Sequence, residues 1–367
     1  MKEVNFIIQA VVPDYRIGFF NALNKLEPFK LVSGDFYFTE TVISSPQAKN
    51  ILNRVESKNK FIFKRKALLQ VWSGMFWDLF SKQVRVVELN PRCFVSWFSL
   101  FFSFFMRRGK TVVWGHRLNR KGDESILNLR TLMLGLANGV IFYTEEQKDS
   151  FAKTVVGKYT PSGFAPNSVL SESQICNMPK AGTDFIYVGR LVDEKKPLLL
   201  IEAFIMAKAS KGLGCDSTLH IVGDGPCFKK AEWLIKEHDA SDFIVLHGHQ
   251  SDYEYLKALY SRCIASVSPG YVGLSITQSF SFGKPMIISK DEPHSPELEC
   301  FSDSENGTFF ETDSIEMLAE ELINYSNDRN SWSKQSAFIS NEIKKNYTYE
   351  AMAKGFYSLI KEVQNGK

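Results

Sequence analysis

The chain has 367 residues, 44% of them apolar and 23% charged, with 44 basic against 41 acidic side chains and a formal net charge of +3. That length exceeds one ordinary hydrophobic core and points to two domains. The near-balance of charge excludes a nucleic-acid-binding surface of the usual kind, which clusters Lys and Arg over a strongly basic domain, and no solenoid repeat or low-complexity tract is present. Six cysteines (Cys93, Cys176, Cys215, Cys227, Cys263 and Cys300) share no CxxC pair and no metal-ligand spacing. Cys263 lies inside an apolar run, as a reduced core thiol does, and the scattered set argues for a reducing compartment. The opening run MKEVNFIIQAVVPDY is too short in its apolar part for a signal peptide and reads as a first strand, so a cytoplasmic protein is expected.

In chain order, Asn5 to Val12 suits a buried parallel strand and Ile17 to Leu26 a helix, with Pro13-Asp14-Tyr15-Arg16 as the break between them. Arg16 sits where open α/β sheets place ligand contacts; it either binds an anion or pairs with Asp14. Phe29 to Phe38 reads as a second strand. The stretch KNKFIFKRK, residues 58 to 66, interleaves bases with Phe. Val84 to Glu88 is a further strand. Phe94 to Met106, FVSWFSLFFSFFM, is nearly all apolar, ends at Arg107-Arg108, and falls short of the ~18 residues that span a bilayer. It is either a helix buried in the first domain or an interfacial helix with its aromatics in the headgroup layer and its bases on anionic lipid. Thr111 to Trp114 is a strand ending at Gly115-His116-Arg117. His116, just past a strand's carboxyl end, is either a cleft residue or an exposed structural one, and Arg117, Asn119, Arg120 and Lys121 either hold an anion or solvate a loop. A helix over Ile126 to Ala137 leads to a strand at Gly139 to Tyr143. The aperiodic stretch from Thr160 to Thr183, rich in Pro, Ser, Gly and Asn, reads as the interdomain linker.

The second half repeats one pattern. Asp184 to Arg190 is a strand ending in Gly189-Arg190, and Pro197 opens a helix. Ser217 to Val222 ends in Gly223-Asp224-Gly225-Pro226, and Phe243 to Leu246 ends in His247-Gly248-His249. The strand around Ile264 ends at Pro269-Gly270, and Met286 to Ser289 is the last clear parallel strand. Alternating strands and helices give an α/β chain with parallel sheets and right-handed crossovers. Four strand ends rich in Gly, with Arg or Lys nearby, suit a diphosphate met by backbone N–H groups, a helix dipole and fixed cations.

The ordered set VGRLVDEKKPLLLIEAF, HIVGDGP, LHGH, SPGYVGLSITQSFSFGKPMI, HSPE and ENGTFF, over about residues 184–311, resembles the second domain of the family 4 retaining glycosyltransferases. PDYRIGFFNAL, ELNPR, VVWGHR and ANGVIFYTE resemble its first domain less sharply. PGYVGL and HSPE resemble a branch found among bacterial surface-polysaccharide transferases. The resemblance implies the GT-B fold, two facing Rossmann-like domains with a central cleft. The expected domains are 1–165, joined by a C-terminal helix 346–367, and 182–345. It implies transfer of a sugar from a nucleoside-diphosphate donor to an acceptor hydroxyl with retention. The acceptor would be a lipid-linked oligosaccharide in O-antigen, capsule or exopolysaccharide synthesis; the stretch 94–106 separately keeps open a peripheral contact with the cytoplasmic face of the inner membrane. No cofactor, no catalytic metal and no nucleic acid is implied.

By the same resemblance Arg190 and Lys195 bind the donor diphosphate, a pairing that joins a forked guanidinium to a compact charge. His116 approaches the reacting sugar, and Arg16 and Arg117 fall on the acceptor side. Gly189, Gly223, Gly225, Gly248 and His249 line the nucleotide side, although their glycines equally suit turn geometry. The family's two glutamates, eight positions apart, fall here at Gly270 and Gln278. Gln278 keeps hydrogen-bonding capacity toward ribose hydroxyls. Gly270 offers no side chain, so sugar recognition passes to the backbone of Tyr271, Val272, Gly273 and Leu274, or to Glu297 of HSPE. Two rival readings are a degenerate, non-catalytic sugar-nucleotide binder and a nucleotide-sugar epimerase of the same fold.

Overall fold

A computed structural model describes residues 4–8, 11–34, 36, 44–51, 53–117 and 124–366, with the backbone alone over 124–128. Asn119, Arg120 and Lys121 lie outside the described residues, as do 9–10 and 37–38 of the two expected strands. The chain divides into two compact units, Met1–Ser171 with Asn346–Lys367, and Glu172–Lys345.

In the first unit short apolar runs become parallel strands buried on both faces, as happens where helices cover a sheet twice. The elements are β1 (Val4–Ile8), α1 (Asp14–Leu26), β2 (Phe29–Gly34), β3 (Arg54–Ile62), β4 (Ala67–Val71), α2 (Met75–Phe80), β5 (Val84–Glu88), α3 (Phe94–Phe104), β6 (Lys110–Trp114), α4 (Glu124–Leu136), β7 (Gly139–Phe142), α5 (Glu145–Ala152) and β8 (Ser162–Phe164). The sheet order is β4-β3-β2-β1-β5-β6-β7-β8, with β4 antiparallel to β3 and the remaining neighbours parallel. Val4 on β1 sits beside both Phe29 and Val84, so β1 is the centre from which the chain turns outward in both directions.

Two stretches differ from their sequence reading. The basic stretch 58–66 forms most of β3 and the tight turn into β4. Its alternation turns Ser57 and Asn59 inward and leaves Lys58 and Lys60 outside. The Thr160–Thr183 linker begins with a strand, since β8 pairs with β7 through Val140 and Ser162.

The second unit follows with β9 (Asp184–Val188), α6 (Pro197–Ala209), β10 (Leu219–Val222), α7 (Phe228–Glu237), β11 (Ile244–Gly248), α8 (Tyr253–Arg262), β12 (Cys263–Ser268), α9 (Ser275–Ser281), β13 (Met286–Ser289), β14 (Gly307–Phe310), α10 (Ile315–Asn327) and α11 (Arg329–Asn346). Its sheet is parallel throughout its described pairs, in the order β11-β10-β9-β12-β13-β14. The order reverses at β9, from which the chain builds first toward β11 and then, from β12, toward β14. Such a switch point opens a crevice at the strands' carboxyl ends. The sequence reading stopped at β13; β14 is a short Gly-Thr-Phe-Phe strand without the aliphatic run that marks its neighbours.

The chain ends in α12 (Tyr349–Asn365), capped by the Thr348 hydroxyl on the Ala351 N–H. It buries Met352, Phe356, Leu359, Ile360 and Val363 in the core of the first unit. The Phe356 ring lies 4.9 Å from both Phe19 and Trp114 and 5.7 Å from Phe6. Phe356→Ala therefore removes a centre of that core, and a loss of about 3–5 kcal/mol is expected from such a truncation. Urea unfolding followed by circular dichroism measures it; a midpoint within error of the parent would mean that α12 does not hold the unit together.

Candidate functional site

The site is built from the loops that leave the carboxyl ends of β9 to β13, and backbone hydrogen bonds sew these loops together. Gly223 N–H donates to Gly248 O at 2.8 Å, Gly189 N–H to Val222 O at 3.0 Å, and Leu191 N–H to Asp224 O at 2.9 Å. Tyr271 N–H donates to Glu194 O at 2.9 Å, and Ser295 N–H to Val272 O at 3.0 Å. Gly223 and Gly225 have φ of +146° and +154°. A Cβ there would meet Gly189 O at 1.8 Å and Leu191 O at 2.5 Å. Both glycines thus serve the close approach of the β10 loop to the β9 loop, whatever ligand the crevice takes.

Arg190 is exposed at the end of β9, and its carbonyl accepts from the Tyr187 hydroxyl at 2.8 Å. Lys195 is half-buried. Its Nζ donates to the Tyr271 carbonyl at 3.1 Å and stands 5.3 Å from the Tyr271 ring centre. Burial, and then the neighbouring Arg190 charge, lower the Lys195 ammonium to about 8. Two cations sharing one strand end is an arrangement that an anion would relieve. The next residue, Lys196, pairs with Glu292 and Asp313 and ties the β9 loop to those after β13 and β14.

Gly270 is buried, and a Cβ there would lie 2.5 Å from Glu194 O and 2.9 Å from the Lys195 carbonyl carbon. The β9 loop occupies the space that a carboxylate side chain would need. The glycine at this position is therefore a packing requirement of this chain, beyond the loss of one polar group.

Val272 N–H donates to His294 Nδ1 at 3.1 Å, and His294 Nε2 lies 2.8 Å from Ser289 O. A carbonyl on one side and an N–H on the other fix the neutral tautomer with its proton on Nε2. Burial is the main cause that lowers the His294 pKa, and the Lys195 charge adds to it. His294 is a site residue the sequence reading passed over, although it opens the HSPE motif. Ser295 is buried, and its Oγ has no hydrogen-bond partner; it faces Gly273, whose Cβ would lie 3.9 Å away. Gln278 is half-buried on α9, and Glu297 is buried in the single-turn helix Pro296–Cys300.

At the β11 end the sequence reading named His249, which is exposed. The structured histidine is His247. Arg262 and His220 both hold the Asp184 carboxylate, His220 Nδ1 lies 3.0 Å from His247 Nε2, and His247 Nδ1 lies 2.7 Å from the Tyr255 hydroxyl. Burial pushes the Asp184 carboxyl up, but the bonds from His220 and the Arg262 charge outweigh it and hold it below the usual range. Burial, then the His220 and Arg262 charges, lower the His247 pKa.

In the first unit, Arg16 and His116 meet through a residue that the sequence reading took only as a strand end. Tyr143 follows β7; its hydroxyl accepts from Arg16 Nη2 at 3.4 Å, and its ring lies 4.4 Å from that of His116. The Arg16 guanidinium also stands 4.2 Å over the Trp114 ring, while its Nη1 is buried without a partner. Burial pushes the Tyr143 phenol up to about 12, against the opposing pull of Arg16. Asp14 is not the partner of Arg16 in any described bond. Arg117 points elsewhere: its Nη1 donates to Ser150 Oγ at 2.7 Å and its N–H to Gln147 Oε1 at 3.0 Å, so it is bound to α5. Among the described residues no group of three His, Cys, Asp or Glu is placed to hold a metal ion.

The two α/β units, each built on a mainly parallel sheet, have the GT-B architecture. Residues 171–345 match the family described as glycosyl transferases group 1. The whole chain is similar in structure to Anabaena HepE in complex with UDP (TM-score 0.70, 13% identity, 98% of this chain and 100% of that one). It is also similar to a glycosyltransferase from Rickettsia africae (0.70, 12%, 100% of each) and to the lipopolysaccharide outer core galactosyltransferase WaaB (0.65, 15%, 98% and 99%). At these identities the likeness speaks for the fold. No curated protein matches the sequence. The second unit thus matches the group 1 glycosyl transferases, and the chain as a whole has the GT-B fold.

Two predictions test the construction of this site. Gly270→Glu forces the β9 and β12 loops apart, so it should lower stability by about 1–3 kcal/mol, as overpacking does, and should bring no gain in turnover. Urea denaturation with a turnover assay reads both; a stable, more active variant would refute the packing argument. His247 and His294 bind protons less readily folded than unfolded, where the ordinary value is 6.5. Their contribution to stability is complete above about pH 6.5 and falls as pH drops below it, because the unfolded chain then holds more protons. The urea midpoint should decline as pH falls below about 6.5, and His294→Gln should flatten part of that slope.

Proposed function

We propose that the chain moves a glycosyl group from a nucleoside-diphosphate sugar to an acceptor hydroxyl with retention at the anomeric carbon. In this reading the acceptor is a lipid-linked saccharide of a bacterial surface polysaccharide, extended on the cytoplasmic side. The observation that carries the proposal is the pairing of Arg190 with Lys195 at the switch point of the second sheet. Its two cations are brought together by the β9 and β12 loops and are only partly compensated by protein groups. The presence of UDP in Anabaena HepE and the lipopolysaccharide role printed for WaaB support the donor class and the polysaccharide setting.

The reaction breaks the bond between the sugar C1 and the donor phosphate oxygen, leaving its electron pair on the diphosphate. The acceptor oxygen forms a bond to C1 on the same face and gives its proton to the departing phosphate oxygen. Arg190 forks two phosphate oxygens and Lys195 adds a compact charge, so both stabilise the leaving group as its charge grows. Gln278 takes the ribose hydroxyls. With no room for a side chain at Gly270, the sugar is read by the backbone of residues 271–274 and by the unpartnered Ser295 hydroxyl beside Gly273. In the first unit His116, set by Tyr143, is assigned to the reacting sugar and Arg16 to the acceptor. No step uses a metal or a further cofactor.

Release of nucleoside diphosphate, measured over a panel of UDP- and GDP-sugars with a lipid-linked acceptor, tests the reading. Arg190→Ala should lower kcat/KM by about 10²–10³-fold, the scale for losing one charge-stabilising group; unchanged turnover would remove Arg190 from the mechanism. A second measurement uses pH. Lys195 is increasingly neutral above about 8 in the free protein, and a diphosphate favours its charged form. UDP binding should therefore weaken as pH rises through that value, with proton uptake visible by calorimetry. In Lys195→Met both effects should vanish; a persistent pH dependence would assign the titration to another group.

A further inference from the structure

α3 lies on the first sheet with its small residues inward. Ser96, Ser99 and Ser103 are buried, the Ser96 hydroxyl donating to Glu88 O at 2.9 Å and Thr111 donating to Ser99 O at 2.8 Å. One row of its rings faces out: Phe98, Phe101 and Phe104 are 42%, 48% and 49% exposed, and Phe105, just past its end, is 63% exposed. The patch continues onto α2, where Phe76 and Trp77 are 69% and 82% exposed. Phe80, 4.7 Å from Phe76 and 4.4 Å from Phe102, joins the two helices. An open apolar hollow between α3 and α4 adjoins this face. A contiguous aromatic surface of this kind marks an interaction site, since isolated exposed side chains do not form such a sheet of rings.

The rim of the patch identifies its occupant. Arg107 and Arg108 are exposed at the carboxyl end of α3. At its other end the Arg92 guanidinium holds the carbonyls of Arg65 and Lys66, bringing the basic β3–β4 turn and its exposed Phe63 alongside. From Ser57 to Lys110 the chain carries eleven Lys or Arg, of which Arg85 is buried, and two acidic residues. Of those two acids, Asp78 is buried on Lys30 and Trp72, and Glu88 closes β5. A second copy of the chain would bring the same cationic rim against itself, because a two-fold interface pairs like patches. A surface of anionic lipid satisfies both features, with rings in the headgroup layer and bases on the phosphates. No helix among the described residues is long and apolar enough to cross a membrane, so the chain would lie on the surface.

We propose that the outer face of α2 and α3, with its basic rim, is a docking surface for an anionic lipid bilayer. The proposal deepens the lipid-linked acceptor reading and rests on it for its purpose, but binding is measured without donor or acceptor. The full-length protein is sedimented with phosphatidylcholine vesicles and with vesicles containing about 30% phosphatidylglycerol. The expected result is binding to the anionic vesicles, weakened by added salt. Phe101→Ser/Phe105→Ser should lower the partition coefficient at least about tenfold, and Arg107→Glu/Arg108→Glu should abolish the preference for phosphatidylglycerol. The altered side chains are exposed, so both variants should keep the parent's thermal midpoint and UDP affinity. Should either fail to fold, quenching of Trp77 fluorescence by brominated lipid in the unaltered protein, referenced to Trp77→Phe, decides instead, and absence of quenching overturns the proposal. No preference for anionic vesicles, unchanged partition in the Phe variant, or a dimer that this variant dissolves without any vesicle binding would each overturn it. Vesicle binding without transfer to a lipid-linked acceptor refutes the acceptor reading alone; transfer without vesicle binding refutes the docking surface alone.

Discussion

The contact on which the candidate site depends is the meeting of the β9 and β12 loops. Glu194 O accepts from Tyr271 N–H, Lys195 Nζ donates to Tyr271 O, and Gly270 lies against the backbone of both Glu194 and Lys195. Any side chain at 270 would separate these loops, and separating them would free the Lys195 ammonium from the carbonyl that orients it. The same contact explains why the lysine's charge is easily lost. It is partly buried, beside Arg190, and held by a neutral carbonyl in place of a carboxylate. A carboxylate partner would restore the ordinary pKa and occupy the cation; a carbonyl leaves its charge available to a ligand.

Much of this was legible in the chain itself because the architecture follows from local pattern. Short apolar runs give parallel strands, several of those in the second unit ending in Gly with a base nearby, and β5 and β13 fall where the apolar pattern puts them. Gly189, Arg190, Lys195 and the Gly270–Leu274 loop share one sheet edge for that reason. What pattern could not give was contact across loops. Gly270 reads in sequence as a missing glutamate, and only the approach of Glu194 O shows why the glycine stands there. His294 was passed over although it opens the HSPE motif, and Tyr143 because it read only as a strand end; the partners of both lie elsewhere in the chain. One is set by the carbonyl of Ser289 and the N–H of Val272, the other by an arginine far away in the chain. Arg117, beside His116 in the sequence, is tied by a glutamine and a serine to α5, a contact that adjacency alone does not reveal.

α3 shows how composition misleads when periodicity is set aside. A thirteen-residue stretch with ten apolar residues suggests a buried helix, yet its three serines recur at 96, 99 and 103, about one helical turn apart. Small side chains let a helix lie close on a sheet, and the Ser96 and Ser103 hydroxyls turn to the backbone carbonyls of Glu88 and Leu100. Trp97 and Phe102 lean against the core, and the rings of Phe98, Phe101 and Phe104 are left facing outward. The helix is thus amphipathic by size more than by polarity, and its apolar outer face is left to be covered by something other than the first unit's own core. A hydropathy average registers the helix as uniformly apolar; the spacing of its serines is what tells the inner face from the outer.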